Sequence, residues 1–167
     1  MDGLVGSEMC IRDSDRSVPR LRQLDDIFGN AITTRYSSRA IIEEVCREAD
    51  LVIGTVLIPG ASAPKLISRD FLSSMKPGSV IVDVAIDQGG CFETSRATTH
   101  DDPTYIVDGV VHYCVANMPG SVPLTSSEAL NNATLPHVLA LAEDGGAALD
   151  RDQPRANGLD VRGGPVG

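Results

Sequence analysis

Apolar residues recur at two spacings along this chain, and the change between them predicts helices that alternate with strands. From Val18 the apolar positions follow a helical spacing until Gly29, which predicts a helix that ends at the glycine. Residues 32–36 (ITTRY) are β-branched and predict a strand. Ser37 or Ser38 is then placed to cap a second helix, because a serine oxygen accepts a hydrogen bond from a free backbone N–H.

Two segments are apolar almost without interruption and predict buried strands. Residues 51–58 (LVIGTVLI) end at Pro59-Gly60, and residues 79–86 (SVIVDVAI) end at Asp87. Residues 68–75, between them, predict a short helix. Strands that are apolar on both faces are typical of parallel sheets, because helices cover both faces of such a sheet.

The second half of the chain adds a hairpin and a long helix. Residues 104–115 (TYIVDGVVHYCV) predict two short strands joined by a turn at Asp108-Gly109. Thr125 is expected to cap a last helix, whereas residues 1–14 show neither helical nor strand periodicity. The alternation of strands and helices predicts an α/β fold with a doubly wound parallel sheet.

Charge and composition narrow the classes of partner. The chain has 14 basic and 23 acidic residues, so its formal net charge is −9. An acidic chain is poorly suited to nucleic acid or to an anionic membrane, so neither is an expected partner. No apolar run approaches the roughly 18 residues of a transmembrane helix, and the N-terminus lacks the pattern of a signal peptide.

Cysteine and histidine offer no obvious metal site or triad. The four cysteines, which include Cys91, are widely spaced and form no C-x-x-C pair, so we expect no metal site and reduced thiols in a cytoplasmic protein. No basic residue neighbours Cys91, which argues against a nucleophilic thiol. His112 lies within a predicted strand and is expected to be structural.

The end of the second apolar segment is the most promising ligand site. Open α/β sheets bind their ligands outside the carboxyl ends of the strands. Asp87, Gly89 and Gly90 follow such an end directly, and the end of residues 51–58 is expected beside them. The glycines allow the backbone to turn tightly next to a ligand.

Three long runs resemble the nicotinamide-nucleotide-binding half of the alanine dehydrogenase family. They are residues 49–67 (ADLVIGTVLIPGASAPKLI), 75–105 (beginning MKPGSVIVDVAIDQGGCFETSR) and 115–142 (beginning VANMPGSVPLTSSEAL). The resemblance implies a Rossmann sheet that binds NAD and a second domain that binds the amino acid. It implies reversible oxidation of L-alanine to pyruvate and ammonia, in an enzyme that is commonly a homohexamer.

The resemblance also shows what this chain lacks. The sequence contains no G-x-G-x-x-G turn for the pyrophosphate, and the family's His and Lys lie in a substrate domain that has no counterpart here. We therefore read residues 1–14 as a non-native head and residues 15–124 as a partial NAD-binding domain. Residues 125–167 are read as a helix and tail that return to the substrate domain. We expect no turnover by these 167 residues alone.

Individual roles follow from the resemblance. Asp87 matches the catalytic carboxylate, which orients the substrate nitrogen and assists the attacking water; a surface turn residue is the alternative. Asp15 matches the residue that bonds the ribose hydroxyls, which favours NAD over NADP. Arg20 and Ser37 match adenosine-side residues, with a solvated arginine and a helix cap as alternatives. The expected cofactor contacts are Asp15, Arg20, Ser37, Val56, Leu57, Val84, Ala85, Ile86, Asp87, Arg96, Val115, Ala116, Asn117 and Met118.

Two other readings stay open. The α subunit of the nicotinamide nucleotide transhydrogenase is homologous, but there the segment reads more like AAEQGGN, so Ile86-Asp87 favours alanine dehydrogenase. The other is a non-catalytic remnant that binds nucleotide weakly or not at all. Arg96 illustrates the ambiguity, because its side chain is suited either to a phosphate or to fixing its own loop.

Overall fold

The computed structural model describes residues 10–56, 58, 61–151 and 156–159, and these form an α/β fold. Short 3-10 helical turns lie at Gly29–Ala31, Val84–Gln88 and Met118–Ser121. In chain order the strands and helices are β1 (Ile11–Asp15), α1 (Val18–Phe28), β2 (Ile32–Tyr36), α2 (Arg39–Glu48), β3 (Leu51–Gly54), α3 (Arg69–Leu72), β4 (Val80–Asp83), β5 (Thr104–Val107), β6 (Val110–Tyr113), α4 (Pro123–Asp144) and α5 (Ala147–Asp150).

The described strands form two sheets in which parallel pairing predominates. β1 and β2 pair in parallel as a two-stranded sheet. The other sheet has the order β3-β4-β6-β5, with β3, β4 and β6 parallel and β5 antiparallel at the edge. The predicted α/β class with a parallel sheet is therefore confirmed. The chain divides after Met118 into two compact units, of which the first contains both sheets.

The core of the first unit surrounds β4. Ile81 and Val110, on neighbouring strands, are fully buried, and so is Leu72 of α3. Phe92, from the segment after β4, is 2% exposed and packs in the same cluster. Burying such side chains stabilises the fold by roughly 1.5–3 kcal/mol each, so this cluster holds β4 against its neighbours.

The helix boundaries follow the polar signals in the sequence. The predicted helix that ends at Gly29 is confirmed as α1, and Ser17 caps its start by accepting a hydrogen bond from the Arg20 N–H at 3.3 Å. Ser38, not Ser37, caps α2, because its hydroxyl accepts from the Ile41 N–H. The hairpin turn at Asp108-Gly109 is confirmed, with both residues at positive φ.

Both predicted apolar strands are too long. β3 ends at Gly54, where the backbone approaches the Cys91 and Phe92 side chains so closely that no Cβ would fit. β4 ends at Asp83, and Val84–Gln88 form a 3-10 turn in place of the predicted strand end. Among the described apolar residues past these strand ends, Val56, Ala85 and Ile86 are partly or fully buried, whereas Ile58 and Val84 are exposed.

Other boundaries also differ from the prediction. Residues 11–14, expected to lack periodicity, form most of β1 in parallel register with β2. The predicted helix over residues 68–75 is shorter and spans only Arg69–Leu72. The last helix begins at Pro123, two residues before the expected cap Thr125, because proline fits the first helical position. Whether residues 125–167 belong to a substrate domain stays a prediction.

The second unit contains α4 and α5. No residue of α4 is buried, and Leu124 and Leu130 are 74% and 65% exposed. Within the described part of the chain, no helix is both long and apolar enough to span a membrane.

We predict that Gly54→Ala destabilises the first unit by about 1–3 kcal/mol, the usual cost of overpacking a core. The added Cβ would lie 2.2 Å from the Cys91 Sγ and 2.7 Å from a Phe92 ring carbon. Urea unfolding followed by circular dichroism measures the change. Gly146→Ala is the control, because a Cβ there meets nothing within 4 Å. Equal stability of the two variants would contradict the close approach.

Candidate functional site

The candidate site lies where β3, β4 and β6 end, at one edge of the four-stranded sheet. Because these strands are parallel, the segments that follow them meet there. An open cavity of about 540 Å³ lies between the segments after β3 and β4. Its lining residues are Ile58, Ala61, Ser62, Asp87, Gln88 and Gly89. The structure thus brings Asp87 to the edge where an α/β sheet binds its ligand.

The turn that carries Asp87 has a defined backbone. Val84–Gln88 form a 3-10 helix, and Gly89 and Gly90 follow with φ of 91° and 73°. The Gly89 N–H donates to the Ile86 carbonyl at 2.9 Å. Only glycine adopts such angles without strain, so the expected role of the two glycines as turn residues is confirmed. Asp87 stays exposed on this turn.

Asp83, the last residue of β4, is a buried carboxylate beneath the turn. It is fully buried, and its Oδ2 accepts from the Cys91 N–H at 2.9 Å and from the Ser95 hydroxyl at 2.5 Å. The Cys91 thiol lies 3.5 Å from Oδ1. Burying an unpaired charge is costly, so these bonds are what allow the carboxylate to stay in the core.

The segment after β3 is hydrogen-bonded along the segment after β4. The Ala63 N–H donates to the Gln88 carbonyl at 3.0 Å, and the Leu66 N–H donates to the Cys91 carbonyl at 2.7 Å. The Lys65 ammonium donates to the carbonyls of Gly89, at 2.5 Å, and of Gly90, at 2.8 Å. The two segments that line the cavity are therefore held together by hydrogen bonds.

The segment after β6 is attached to the same loop from the other side. The Thr98 N–H donates to the Cys114 carbonyl at 2.9 Å, and the Ala116 N–H donates back to the Thr98 carbonyl at 3.1 Å. His100 Nε2 donates to the Asn117 carbonyl at 3.1 Å. Asn117 has a φ of 54°, which directs the backbone out of the sheet.

The structure brings some of the predicted cofactor contacts to this edge. Val84 is 47% exposed, whereas the side chains of Ala85 and Ile86 are each only 7% exposed. Val115 is fully buried, so it and the two buried residues of the turn offer mainly backbone to a ligand. The sequence placed Ala116, Asn117 and Met118 at the end of the last strand, but β6 ends at Tyr113 and these residues lie beyond it.

A second group of predicted contacts lies at the corresponding edge of the two-stranded sheet. Asp15 ends β1, and its backbone carbonyl accepts from the Ser37 N–H at 2.9 Å, which places these two residues side by side. The Asp15 Oδ1 accepts from the Ser17 N–H at 2.6 Å and thereby shapes the entry to α1. Arg20 is exposed on α1, with its guanidinium 3.3 Å from the Gln23 Oε1.

Arg96 lies against its own loop. Its guanidinium sits 4.1 Å from the centre of the Tyr105 ring, and the backbone N–H of Arg96 donates to the Tyr105 hydroxyl at 2.9 Å. This geometry matches the loop-fixing alternative, and the phosphate role stays a prediction. Val56 is half-buried and packs against the core cluster, and Leu57 lies outside the described residues.

Two buried groups near the site are unsuited to chemistry. Burial raises the pKa of the Cys91 thiol to about 12, and the charge of Asp83 adds to the effect. This agrees with the expectation that Cys91 is no nucleophile. His112 is fully buried in β6, with Nε2 2.8 Å from the Thr94 hydroxyl and Nδ1 3.0 Å from the Val110 carbonyl.

Sequence reasoning missed Asp83 and Lys65. Asp83 is the single carboxylate within an apolar run, and that irregularity was a usable signal. Lys65 has no such signal, because its role depends on the turn after β4 folding back onto the segment after β3. No group of three His, Cys, Asp or Glu residues in the described ranges is arranged to hold a metal ion.

The cavity presents a carboxylate and an apolar side chain. Asp87 is exposed at its edge, and Ile58, from the segment after β3, is 41% exposed. The side-chain Oε1 of Gln88, which also lines the cavity, is buried and has no hydrogen-bond partner among the described residues.

Curated relatives match nearly the whole chain. A family model described as "Alanine dehydrogenase/PNT, C-terminal domain" matches residues 5–167. Alanine dehydrogenase from Halomonas elongata is 60% identical over 163 residues, which are 97% of this chain and 43% of that protein. Alanine dehydrogenase from Mycolicibacterium smegmatis is 55% identical over 153 residues, which are 91% of this chain and 41% of that protein.

Solved structures agree with the sequence comparison. A structure described as L-alanine dehydrogenase matches with a TM-score of 0.81 at 51% identity, over 92% of this chain and 42% of that chain. A transhydrogenase from Sinorhizobium meliloti matches with a TM-score of 0.59 at 32% identity, over 70% of this chain and 32% of that chain. The chain therefore spans less than half the length of these relatives.

We predict that His112 makes stability depend on pH. Burial lowers the pKa of His112 from 6.5, and the Val110 carbonyl and the Asp83 charge oppose the shift only in part. Since the unfolded chain binds this proton more readily, the free energy of unfolding holds above about pH 6.5 and falls as the pH drops below it. Urea titrations from pH 5 to 8 measure this. In His112→Gln the decrease becomes shallower, and an identical slope in both proteins would contradict the assignment.

Proposed function

The chain belongs to the alanine dehydrogenase/PNT C-terminal-domain family, and we propose that it forms the nucleotide-binding part of an NAD-dependent L-alanine dehydrogenase. The observation that carries the proposal is the exposed carboxylate of Asp87 at the cavity outside the carboxyl ends of parallel strands. Identity of 60% to an alanine dehydrogenase supports this substrate class. The proposed reaction is the reversible conversion of L-alanine, NAD⁺ and water to pyruvate, ammonia and NADH, with release of protons.

In this proposal Asp87 acts on the amino acid. Its carboxylate accepts hydrogen bonds from the substrate nitrogen and holds Cα toward the cofactor. A bound NAD⁺ would supply the acceptor for the hydride of Cα. Asp87 then assists the water that attacks the substrate imine, and the departing nitrogen leaves as ammonia. The residues that bind the substrate carboxylate are expected in a separate domain of the intact enzyme, so these 167 residues alone are expected to be inactive.

The dinucleotide is proposed to lie across the carboxyl edges of both sheets. Asp15 accepts from the adenosine ribose hydroxyls, with Ser37 and Arg20 beside it. At the other end the cofactor meets backbone groups of the turn after β4 and of the segment after β6. The remaining proposed contacts are Val56, Leu57, Val84, Ala85, Ile86, Asp87, Arg96, Val115, Ala116, Asn117 and Met118.

The proposal also includes the cellular location and the oligomeric state of the enzyme. A cytoplasmic homohexamer fits the family resemblance and the reduced cysteines, of which Cys46, Cys91 and Cys114 are buried as free thiols. The transhydrogenase alternative has less support, since that relative is 32% identical over 70% of the chain. If the hybrid enzyme described below shows no turnover, the alternative of a nucleotide-binding remnant without catalysis is favoured.

A hybrid enzyme tests the proposal. The 163-residue matched segment of the Halomonas elongata enzyme is replaced by that of this chain. We predict alanine-dependent NADH formation, lowered about 10²–10⁴-fold in kcat by Asp87→Asn, because general acid–base groups contribute that much. Asp70→Asn, on the exposed start of α3, is the control and leaves kcat unchanged. Hydride transfer between two nicotinamide nucleotides without alanine would favour the transhydrogenase instead.

A second experiment tests nucleotide choice. We predict that Asp15→Ser in the hybrid raises KM for NAD⁺ and lowers KM for NADP⁺, because a carboxylate repels a 2′-phosphate and bonds a 2′-hydroxyl. Asp26→Asn on α1 is the matched control. Steady-state kinetics with each cofactor measure the ratio of kcat/KM values. An unchanged ratio would mean that Asp15 lies away from the ribose.

A further inference from the structure

The turn that carries Asp87 is held from two opposite sides by charged groups that take no part in the proposed chemistry. On its inner side lies the carboxylate of Asp83, which is fully buried. On its outer side lies the ammonium of Lys65, which bonds to the backbone after the turn. We call Asp83, Lys65 and residues 84–91 between them the turn clamp.

The inner contact fixes where the turn ends. Asp83 Oδ2 accepts from the N–H of Cys91 and from the hydroxyl of Ser95, so the chain must return to the end of β4 after the turn. A Cβ on Gly90 would lie 2.6 Å from the same oxygen, so the backbone passes directly over the carboxylate. A buried carboxylate without these donors costs several kcal/mol, so the position is strongly determined.

The contact with Lys65 fixes the backbone carbonyls that follow the turn, on its surface side. Lys65 Nζ lies 2.5 Å from the Gly89 oxygen and 2.8 Å from the Gly90 oxygen. Both glycines have positive φ and no side chain to restrict them, so without a partner this stretch has the greatest conformational freedom of the loop. The ammonium offers more than one donor, so it bonds both carbonyls at once.

Asp87 itself has no hydrogen bond among the described contacts that would orient its side chain, and it is exposed. Its place at the cavity therefore depends on the backbone of the turn. We propose that Asp83 and Lys65 are positioning residues for the carboxylate of Asp87, one clamping the turn from inside the core and the other from the surface. The inference rests on the proposed function for the role of Asp87, whereas the clamp itself is a property of this chain.

A double-mutant cycle in the hybrid enzyme tests whether the clamp acts through Asp87. Asp83→Ala is expected to lower kcat on the order of 100-fold, the cost of a misplacement near 1 Å, while KM for NAD⁺ changes little. Asp83→Asn, which keeps an oxygen acceptor of the same size, is expected to retain more activity. In the Asp83→Ala background, Asp87→Asn is expected to cost less than about tenfold, because the carboxylate is already displaced. Effects that multiply would overturn the proposal.

A second double-mutant cycle combines Lys65→Met with Asp87→Asn. Because Lys65 is exposed, this substitution is not expected to prevent folding. We expect kcat to fall about tenfold, with a reduced effect of Asp87→Asn in this background, whereas Lys65→Arg restores most of the activity. Lys76→Met removes a lysine of the Asp50 surface pair and is the control. An unchanged kcat in Lys65→Met would overturn the outer half of the clamp.

Hydrogen exchange on the 167-residue chain separates the clamp from the proposed function. The amides of Gly89, Gly90 and Cys91 are hydrogen-bonded within the turn clamp. Asp83→Ala and Lys65→Met are expected to speed their exchange about tenfold or more, with the Ile81 amide of β4 unchanged. Unchanged exchange would overturn the clamp. If exchange is faster in both variants but the unsubstituted hybrid enzyme does not oxidise alanine, the proposed function is contradicted and the clamp is supported.

Discussion

The carboxylate of Asp83 accepts hydrogen bonds inside the core, and the loops at the carboxyl edge of the sheet are arranged around it. A charged group in a packed interior is tolerated only when fixed donors replace the water it has lost. Here the donors come from Cys91 and Ser95, both of which follow the turn after β4. The strand therefore determines the course of its own loop for a dozen residues. Without this constraint, Gly89 and Gly90 would leave the loop without a defined path.

The loop after β4 is in turn hydrogen-bonded to the loops on both sides of it, which follow β3 and β6. Residues 88–93 bond along the segment after β3, and Thr98 bonds along the segment after β6. Gly54 adds a steric limit, because its backbone packs directly on Cys91. The three loops form one connected layer, in which a shift of the central loop displaces both of its neighbours. A site built in this way is preorganised mainly by the core, and the exposed Lys65 adds a contact from the surface.

Much of the fold is readable from the sequence, and the reasons are local. Ser17, Gly29 and Ser38 set helix ends through bonds within a few residues, and Asp108-Gly109 forms a turn by its own backbone preference. The predicted ends of β3 and β4 are wrong, because tertiary contacts and not local preferences determine the backbone path there. Residues 84–86 are as apolar as a strand, yet they form a 3-10 turn because the chain must return to Asp83.

The residues of the candidate site, too, could be predicted from the sequence only where the signal is local. Asp87 was identifiable because a carboxylate and two glycines directly follow an apolar run, and the family resemblance assigned its role. Lys65 was not, since it meets Gly89 and Gly90 across more than twenty residues of chain. Arg96 was ambiguous from sequence, and its position over the Tyr105 ring depends on a hairpin that brings β5 beneath it. Long-range contacts of this kind have no periodic signature.

The first measurement to make is a structure of the hybrid enzyme with NADH and pyruvate. We predict that the nicotinamide ring lies beside the turn at Val84–Gln88, with pyruvate within hydrogen-bonding reach of the Asp87 carboxylate and the turn closed over Asp83. A nicotinamide bound elsewhere, or a pyruvate far from Asp87 with the cofactor in place, would contradict it.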